Sequence, residues 1–592
     1  MCQFIKVMER LKSSSSSSVA NEEFSRFNEY MHIPCKMDDR LENVINKAKK
    51  KSKSLVLVCG NSGDGKSHLI ANFIDRGIID NKSAFGVYID ATSSDRKGMR
   101  ANEKLREKLD LFSDAKINDE AEKRLIVAIN LGVLNDFLKN YEREFTTLKK
   151  YVDEQGLFDN IPAWKFALMS GSGDEDAKCY IGHVDFTSFH RYEITQTGID
   201  STFIESLLNK IVDADENNFM YKEFQDSCHN CLLKTNCPVC CNYSALVQNK
   251  GLRRYIVSIL TKSIIRNNLS PSVREINDFF YEIIIGSTFN ENKINDSSIE
   301  RLNHFMHNLT MWILFEESNG LLGYTCKEDI FNDKARRCDQ QLISLNLKPS
   351  LKKWLQEDVV IKEQVFSQIL SDIVYCETNY AKMYRKCEQK IRQDIFKLYI
   401  RMDKITNPIY DEAYEDFLKY LYAYNCGDEK KCADIINLIK ECAYLWNGRL
   451  GDKTGANVKN GIIIGKGTSR YYLYKEIEFV FSKNKEIKPL TELSEYSNFS
   501  SVMRFGFSLK EKPNKVIKID VDYELYEFLL AVRSGYVPTN NDRKKNVKYD
   551  SFVRNLITES EKDLCIYSRV DDGKLYRISK DEFDSYVFEC EV

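Results

Sequence analysis

Apolar positions in this chain follow two spacings, and the switch between them is sharpest near residue 55. Leu41, Val44, Ile45 and Ala48 recur at three- and four-residue intervals, which predicts a short amphipathic helix ending in the basic stretch 47–53. Leu55-Val56-Leu57-Val58-Cys59 then runs without a polar break, as expected of a short strand buried on both faces. A glycine-rich segment follows, and His68-Leu69-Ile70-Ala71-Asn72-Phe73-Ile74 opens a helix. Phe85-Gly86-Val87-Tyr88-Ile89, ending at Asp90, and Leu125-Ile126-Val127-Ala128-Ile129, ending at Asn130, predict two more strands, with a charged helical stretch between them. A further strand is expected through 183–186. This alternation predicts a three-layer α/β sheet. After Ile194 the pattern is mostly helical, to about Tyr399. From about Trp446 onward, runs such as Gly461-Ile462-Ile463-Ile464 and 476–481 predict a separate α/β region.

The chain has 592 residues, and at roughly 150 residues per domain this implies three or four domains. The pattern divides it into an N-terminal segment (1–36), a nucleotide-binding core (37–200), a helical lid (201–300), a helical domain (301–445) and a C-terminal α/β domain (446–592). Residues 13–18 are a serine run, read as a flexible surface segment. Lys+Arg number 86 against 88 Asp+Glu, so any contact with nucleic acid must use local basic patches and not bulk charge. The 18 cysteines are spread through a long chain, which argues against a secreted disulfide scaffold and for a reducing compartment. There is no signal-peptide pattern and no apolar run long enough for a bilayer, so a cytoplasmic protein is expected.

The segment Gly60-Asn61-Ser62-Gly63-Asp64-Gly65-Lys66-Ser67 matches G-x-x-x-x-G-K-[ST] in full, and His68 continues it into the helix. Glycines permit positive φ and let backbone N–H groups approach phosphates. The helix that follows points its positive end at them. Lys66 supplies a charge to the β- and γ-phosphates, and Ser67 a hydroxyl to Mg²⁺. The strand before and the helix after set this apart from a chance glycine loop; the motif alone does not separate ATP from GTP. Hydrolysis further needs a carboxylate near the metal and a polar group to orient water. Asp90 is the candidate for Mg²⁺ and Asn130 for the water or the γ-phosphate. Both also read as ordinary strand-end residues. No Asp-Glu pair follows an apolar strand.

Ser272-Val273-Arg274-Glu275 predicts a capping box opening a helix through Ile276, Phe279, Phe280 and Ile283. A cation in a helix's first turn is disfavoured by about 0.3–1 kcal/mol, so Arg274 points to an anionic partner: a nucleotide phosphate, or a nearby surface acid.

Cys228, Cys231, Cys237 and Cys240 form C-x2-C-x5-C-x2-C. Two such knuckles can converge four thiolates on one tetrahedral ion, with Zn²⁺ the default, an iron–sulfur cluster the alternative and four buried or redox-active thiols a third reading. Cys241 and His229 leave the ligand set open. A closed site of this kind is structural. Arg385, Lys386, Lys390, Arg392, Lys397 and Arg401 lie along one predicted helix, and Arg543-Lys544-Lys545 forms a second basic cluster. Glu388 and Asp394 interrupt the first, and a solvated face is the preferred reading over DNA contact for both. There is no constellation of carboxylates typical of a nuclease.

Taken together, Cys59 to His68, Tyr88-Ile89-Asp90-Ala91-Thr92, Ala128 to Leu134, and Cys237-Pro238-Val239-Cys240 with Asn242-Tyr243 resemble the DptF family, the ATPase-like component of bacterial DNA phosphorothioation-dependent restriction systems. The resemblance runs from about Phe24 to Gly286; beyond it lie only fragments such as Trp446-Asn447-Gly448. It implies a P-loop NTPase core of AAA+/STAND-like type with a helical lid, bound ATP and Mg²⁺, and DptG-like and DptH-like partners that attack unmarked DNA. DNA contact through those partners, and a nucleotide-dependent scaffold or signalling ATPase without DNA contact, both fit the sequence. The oligomeric state stays open.

Overall fold

In the computed structural model, the described residues are 2–13, 22–79, 85–89, 101–158, 170–173, 178–187, 189–296, 298–332, 336–359, 364–406, 411–449, 460–468, 471–482, 499–568, 575–580 and 585–591. Residues 14–18 of the serine run, and Asp90, lie outside them.

The chain is mixed α/β. Its first sheet is built from β1 (Lys53–Cys59), β2 (Phe85–Tyr88), β3 (Lys123–Ile129), β4 (Ser170–Ser172) and β5 (Cys179–Asp185). Their order is β2-β3-β1-β5-β4, with the first four parallel and β4 antiparallel at the edge. β1 is central, and all seven of its residues are buried. Val56 and Val58 face a layer made by the helices Lys36–Lys49 and Lys66–Asp75, through Leu41, Ile45, Ile70 and Phe73. Leu55, Leu57 and Cys59 face the opposite layer, through Leu105, Leu134, Phe137 and Leu148. Burial on both faces is why the strand reads as an unbroken apolar run. Register then fixes what stands beside the loop that leaves β1, because Cys59 pairs with Ile129 on one side and Asp185 on the other.

After a short hairpin (Glu193–Thr195 with Gly198–Asp200), helices dominate from Thr202 to Leu445. The C-terminal region has two antiparallel sheets. One carries Phe479–Ser482, Met503–Leu509 and Lys512–Val521; the other joins Gly461–Thr468 and Tyr471–Glu476 to Leu564–Ser568, Leu575–Lys580 and Tyr586–Glu591. One continuous apolar core runs from Phe4 through the helices to Leu556. No helix among the described residues is long and apolar enough to cross a membrane.

Candidate functional site

The loop 60–67 leaves the carboxyl end of the central strand, at the point where the chain's connections pass to opposite sides of the sheet. In open parallel sheets that edge is where ligands bind. Gly60 N–H donates to Ile129 O (3.2 Å), which ties the start of the loop to β3. Gly63 and Gly65 have φ of +89° and +96°, conformations that residues with a Cβ rarely adopt. Gly65 caps the helix Lys66–Asp75, so the free N–H groups of that helix open toward the loop. Asn61, Ser62 and Ser67 are exposed.

Lys66 is folded over the loop: its Nζ donates to Gly60 O (2.8 Å) and Asn61 O (2.6 Å). Burial lowers its pKa, opposed by the charges of Asp64, Cys59 and Asp185. Asp64 is buried and stiffens the loop from inside, where its Oδ2 accepts from Asn61 N–H (2.5 Å). Burial pushes the Asp64 carboxyl up, and Arg191, itself buried, holds it down from 3.5 Å.

Arg274 arrives from the helix Val273–Ile285. The predicted capping box is present: Glu275 N–H donates to Ser272 Oγ (3.3 Å), and the Glu275 carboxylate accepts from Ser272 N–H (2.8 Å). A Cβ added at Gly63 would lie 3.0 Å from Ser272 Oγ and 3.1 Å from Arg274 Cβ. The helix start and the glycine loop are therefore in direct contact across more than 200 residues of sequence. Arg274 also acts on Asp278, whose pKa is raised by burial and lowered by Lys12 and Arg274, so a neighbouring acid shares its charge.

Asn130 caps the helix Leu131–Asn140, and its Oδ1 accepts from Gly132 N–H (2.8 Å). Its amide oxygen thus has a structural role at the end of β3. Asp185, which sequence reasoning did not single out, is buried at the end of β5, beside Cys59. Its carboxylate accepts from Thr187 N–H (3.0 Å) and Thr187 Oγ1 (2.7 Å). The expected strand through 183–186 was a usable signal for it. His68, the end of the predicted loop segment, meets a histidine that sequence reasoning missed, His32. His68 Nε2 lies 3.1 Å from His32 Nδ1, and His32 Nε2 lies 2.9 Å from Asp38 Oδ1. Burial and the neighbouring His32 push the His68 pKa down to about 4.

The cysteine motif folds as a helix end and a helix start. Cys228 ends Phe219–Cys228, Cys237 caps Pro238–Gln248, and Cys240 lies in the first turn of the latter. Cys228, Cys237 and Cys240 line one small cavity, together with Cys231, which is exposed, and Cys2. Among the described residues, no group of three or more His, Cys, Asp or Glu side chains is set to hold a metal ion as it stands.

The basic helix Ala381–Thr406 separates into two parts. Arg401 is buried and bonded to Asp329 (2.5 Å) and Glu316 (2.6 Å), Lys397 pairs with Glu316, and Arg392 pairs with Glu388. Arg385, Lys386 and Lys390 are exposed. Arg543 bonds Asn447 Oδ1 (2.6 Å), while Lys544 and Lys545 are exposed. No family model, no curated protein and no solved structure matches the chain.

Proposed function

We propose that this chain binds ATP with Mg²⁺ through the loop 60–67 and belongs to the P-loop NTPases, as the nucleotide-driven component of a phosphorothioation-dependent DNA restriction complex. The observation that carries the nucleotide reading is the contact of two separate elements at one loop. A complete phosphate-binding motif sits between a buried central strand and a helix N-terminus, and the first turn of Val273–Ile285 brings Arg274 against it. In this reading an anion held by the loop would meet the start of each helix and the cations Lys66 and Arg274, which favours phosphate over a neutral ligand.

In this reading Lys66 leaves the Gly60 and Asn61 carbonyls to pair with phosphate oxygens, and Ser67 offers its exposed hydroxyl to the metal. Asp90 is the proposed Mg²⁺ partner. Asp185 is a second carboxylate at the same edge of the sheet, close enough to act on Lys66. Asn130 is proposed to read the γ-phosphate or its water with the part of its amide that the helix cap does not use. Arg274 senses phosphate charge from the lid, which would link nucleotide state to lid position.

The restriction role rests on the resemblance to the DptF family, with DptG-like and DptH-like partners. Most of the cations near the end of the helix Ala381–Thr406 are paired within the chain, which favours DNA contact through those partners. The test is ATP hydrolysis by the purified chain, alone and with marked or unmarked DNA and partners. Mg²⁺-dependent turnover that Asp90→Asn lowers by about tenfold or more, with ATP binding spared, supports the reading. Nucleotide binding without turnover under every condition would leave a nucleotide-dependent scaffold in its place.

A further inference from the structure

Cys2 lies outside the sequence motif, yet the fold delivers it to the cysteine cluster. It caps the helix Gln3–Met8, whose Phe4 ring packs on Phe224 (5.4 Å) and Tyr243 (4.8 Å). Phe224 belongs to the helix that ends in Cys228, and Tyr243 to the helix that begins after Cys237. This aromatic contact fixes the short helix where its first residue meets both knuckles. The backbone N–H of Cys2 is anchored on Glu291 Oε1 (2.7 Å). Cys2 therefore lines the same small cavity as Cys228, Cys237 and Cys240. Lys234 lines the same cavity.

We propose that Cys2, Cys228, Cys237 and Cys240 are the ligands of a structural Zn²⁺ ion, with Cys231 outside the set. The cavity between them is about 50 Å³, above the roughly 10–15 Å³ that one small occupant requires. As the chain stands, these thiols share one cavity but do not surround a common point. Binding the ion turns four thiolates inward on the cation and releases to solvent whatever protons the thiols carry. The resulting site carries a formal charge of about −2, which Lys234 and the N-terminus of Pro238–Gln248 offset. Cys231 is exposed and follows the Cys228 helix on a turn whose next residue, Leu232, is 97% exposed. The ion would join the N-terminal helix to the lid, so segments 226 or more residues apart would share one staple.

The experiment uses the full chain purified without added metal. Elemental analysis should find about one zinc per chain, and Co²⁺ exchanged into the site should give the strong thiolate-to-metal absorption of four sulfur ligands. In chelator competition, Cys2→Ser should weaken retention at least tenfold and reduce the Co²⁺ thiolate band, whereas Cys231→Ser should stay within about twofold of the parent. Since serine substitution can unfold a lid, Phe4→Leu serves as a second probe: it keeps every thiol, loosens the helix that carries Cys2, and should weaken retention without changing the spectrum of the loaded form. Retention lost in Cys231→Ser but kept in Cys2→Ser would overturn the ligand set. A parent protein with neither bound zinc nor Co²⁺ thiolate bands would overturn the site itself, with nucleotide binding unaffected in either case.

Discussion

The glycine loop and the cysteine cluster are built in opposite ways. The loop is contiguous in sequence, and its backbone conformation is already set. Three supports hold it from outside: the Ile129 carbonyl, Arg191 and the start of the helix Val273–Ile285. The cysteine cluster is gathered from two helix ends and a distant N-terminal residue, and its thiols line one small cavity without surrounding a common point. A site that must accept and release a ligand quickly gains from a rigid cradle, because little order is lost on binding. A site that serves as a staple can close only when its ion arrives. Lesions in the two regions should therefore separate cleanly, with loop variants losing nucleotide and keeping metal, and cluster variants doing the reverse.

The largest effect on this contrast should come from Arg191→Met. It removes the cation that faces Asp64 in a buried setting, leaving the carboxylate with the Asn61 N–H but without its facing guanidinium. Loss of one partner of a buried pair costs about 3–5 kcal/mol, and denaturant unfolding should show a loss of that size. An effect below about 1 kcal/mol would mean that the loop does not depend on this support.

Gly63→Ala should come next. Its φ of +89° strains any side chain, and the new methyl would press on Ser272 and Arg274. A loss of about 1–3 kcal/mol is expected, together with weaker ATP binding. Gly77→Ala is the control, because φ there is +71° but nothing lies within 4 Å. It should cost only the backbone part, about 1 kcal/mol, with ATP binding unchanged. Equal effects of the two on ATP affinity would break the claimed contact between loop and lid.

Acid should erode the loop side of the comparison gradually. Burial lowers the His68 pKa from its ordinary 6.5 to about 4, and burial lowers that of His190 likewise to about 4. Each ring is neutral in the folded chain and takes up a proton more readily when unfolded. The stability that rests on these neutral rings is present above pH 6.5 and is lost as pH falls toward about 4, with a limiting slope of about 1.4 kcal/mol per pH unit for each group. Asp38, pushed up by burial but held below its usual range by His32 and Cys35, adds a loss in the same direction at lower pH. Denaturant midpoints in His68→Gln should respond less to pH between 6.5 and 4 than those of the parent.

These cases also show where the sequence could be read and where it could not. The strand, loop and helix around Lys66 were legible because each depends on neighbours only a few residues away. The capping box that opens the helix carrying Arg274 was legible from Ser272 and Glu275, although the sequence did not say which loop would lie beside it. Asp185 and Arg191 matter only through register and packing. β5 pairs with β1 after a gap of more than 100 residues, and no local pattern records that pairing. Asn130 was placed correctly at a strand end, but its cap to Gly132 N–H depends on the helix that begins at Leu131. The cationic spacing of 385–401 was visible, but the acids that pair with Arg401 and Lys397 come from elements far along the chain. Cys2 carried no signal at all, because a single cysteine has no spacing to read.

The central claim is that the loop 60–67 is a nucleotide site, and calorimetric titration of the full chain with Mg-ATP tests it most directly. The parent should show one saturable site per chain. Lys66→Ala should weaken that site by at least about 100-fold, or about 2.7 kcal/mol, with its circular dichroism, thermal midpoint and metal content unchanged. No saturable binding by the parent, or a Lys66→Ala affinity within about twofold of it, would contradict the account.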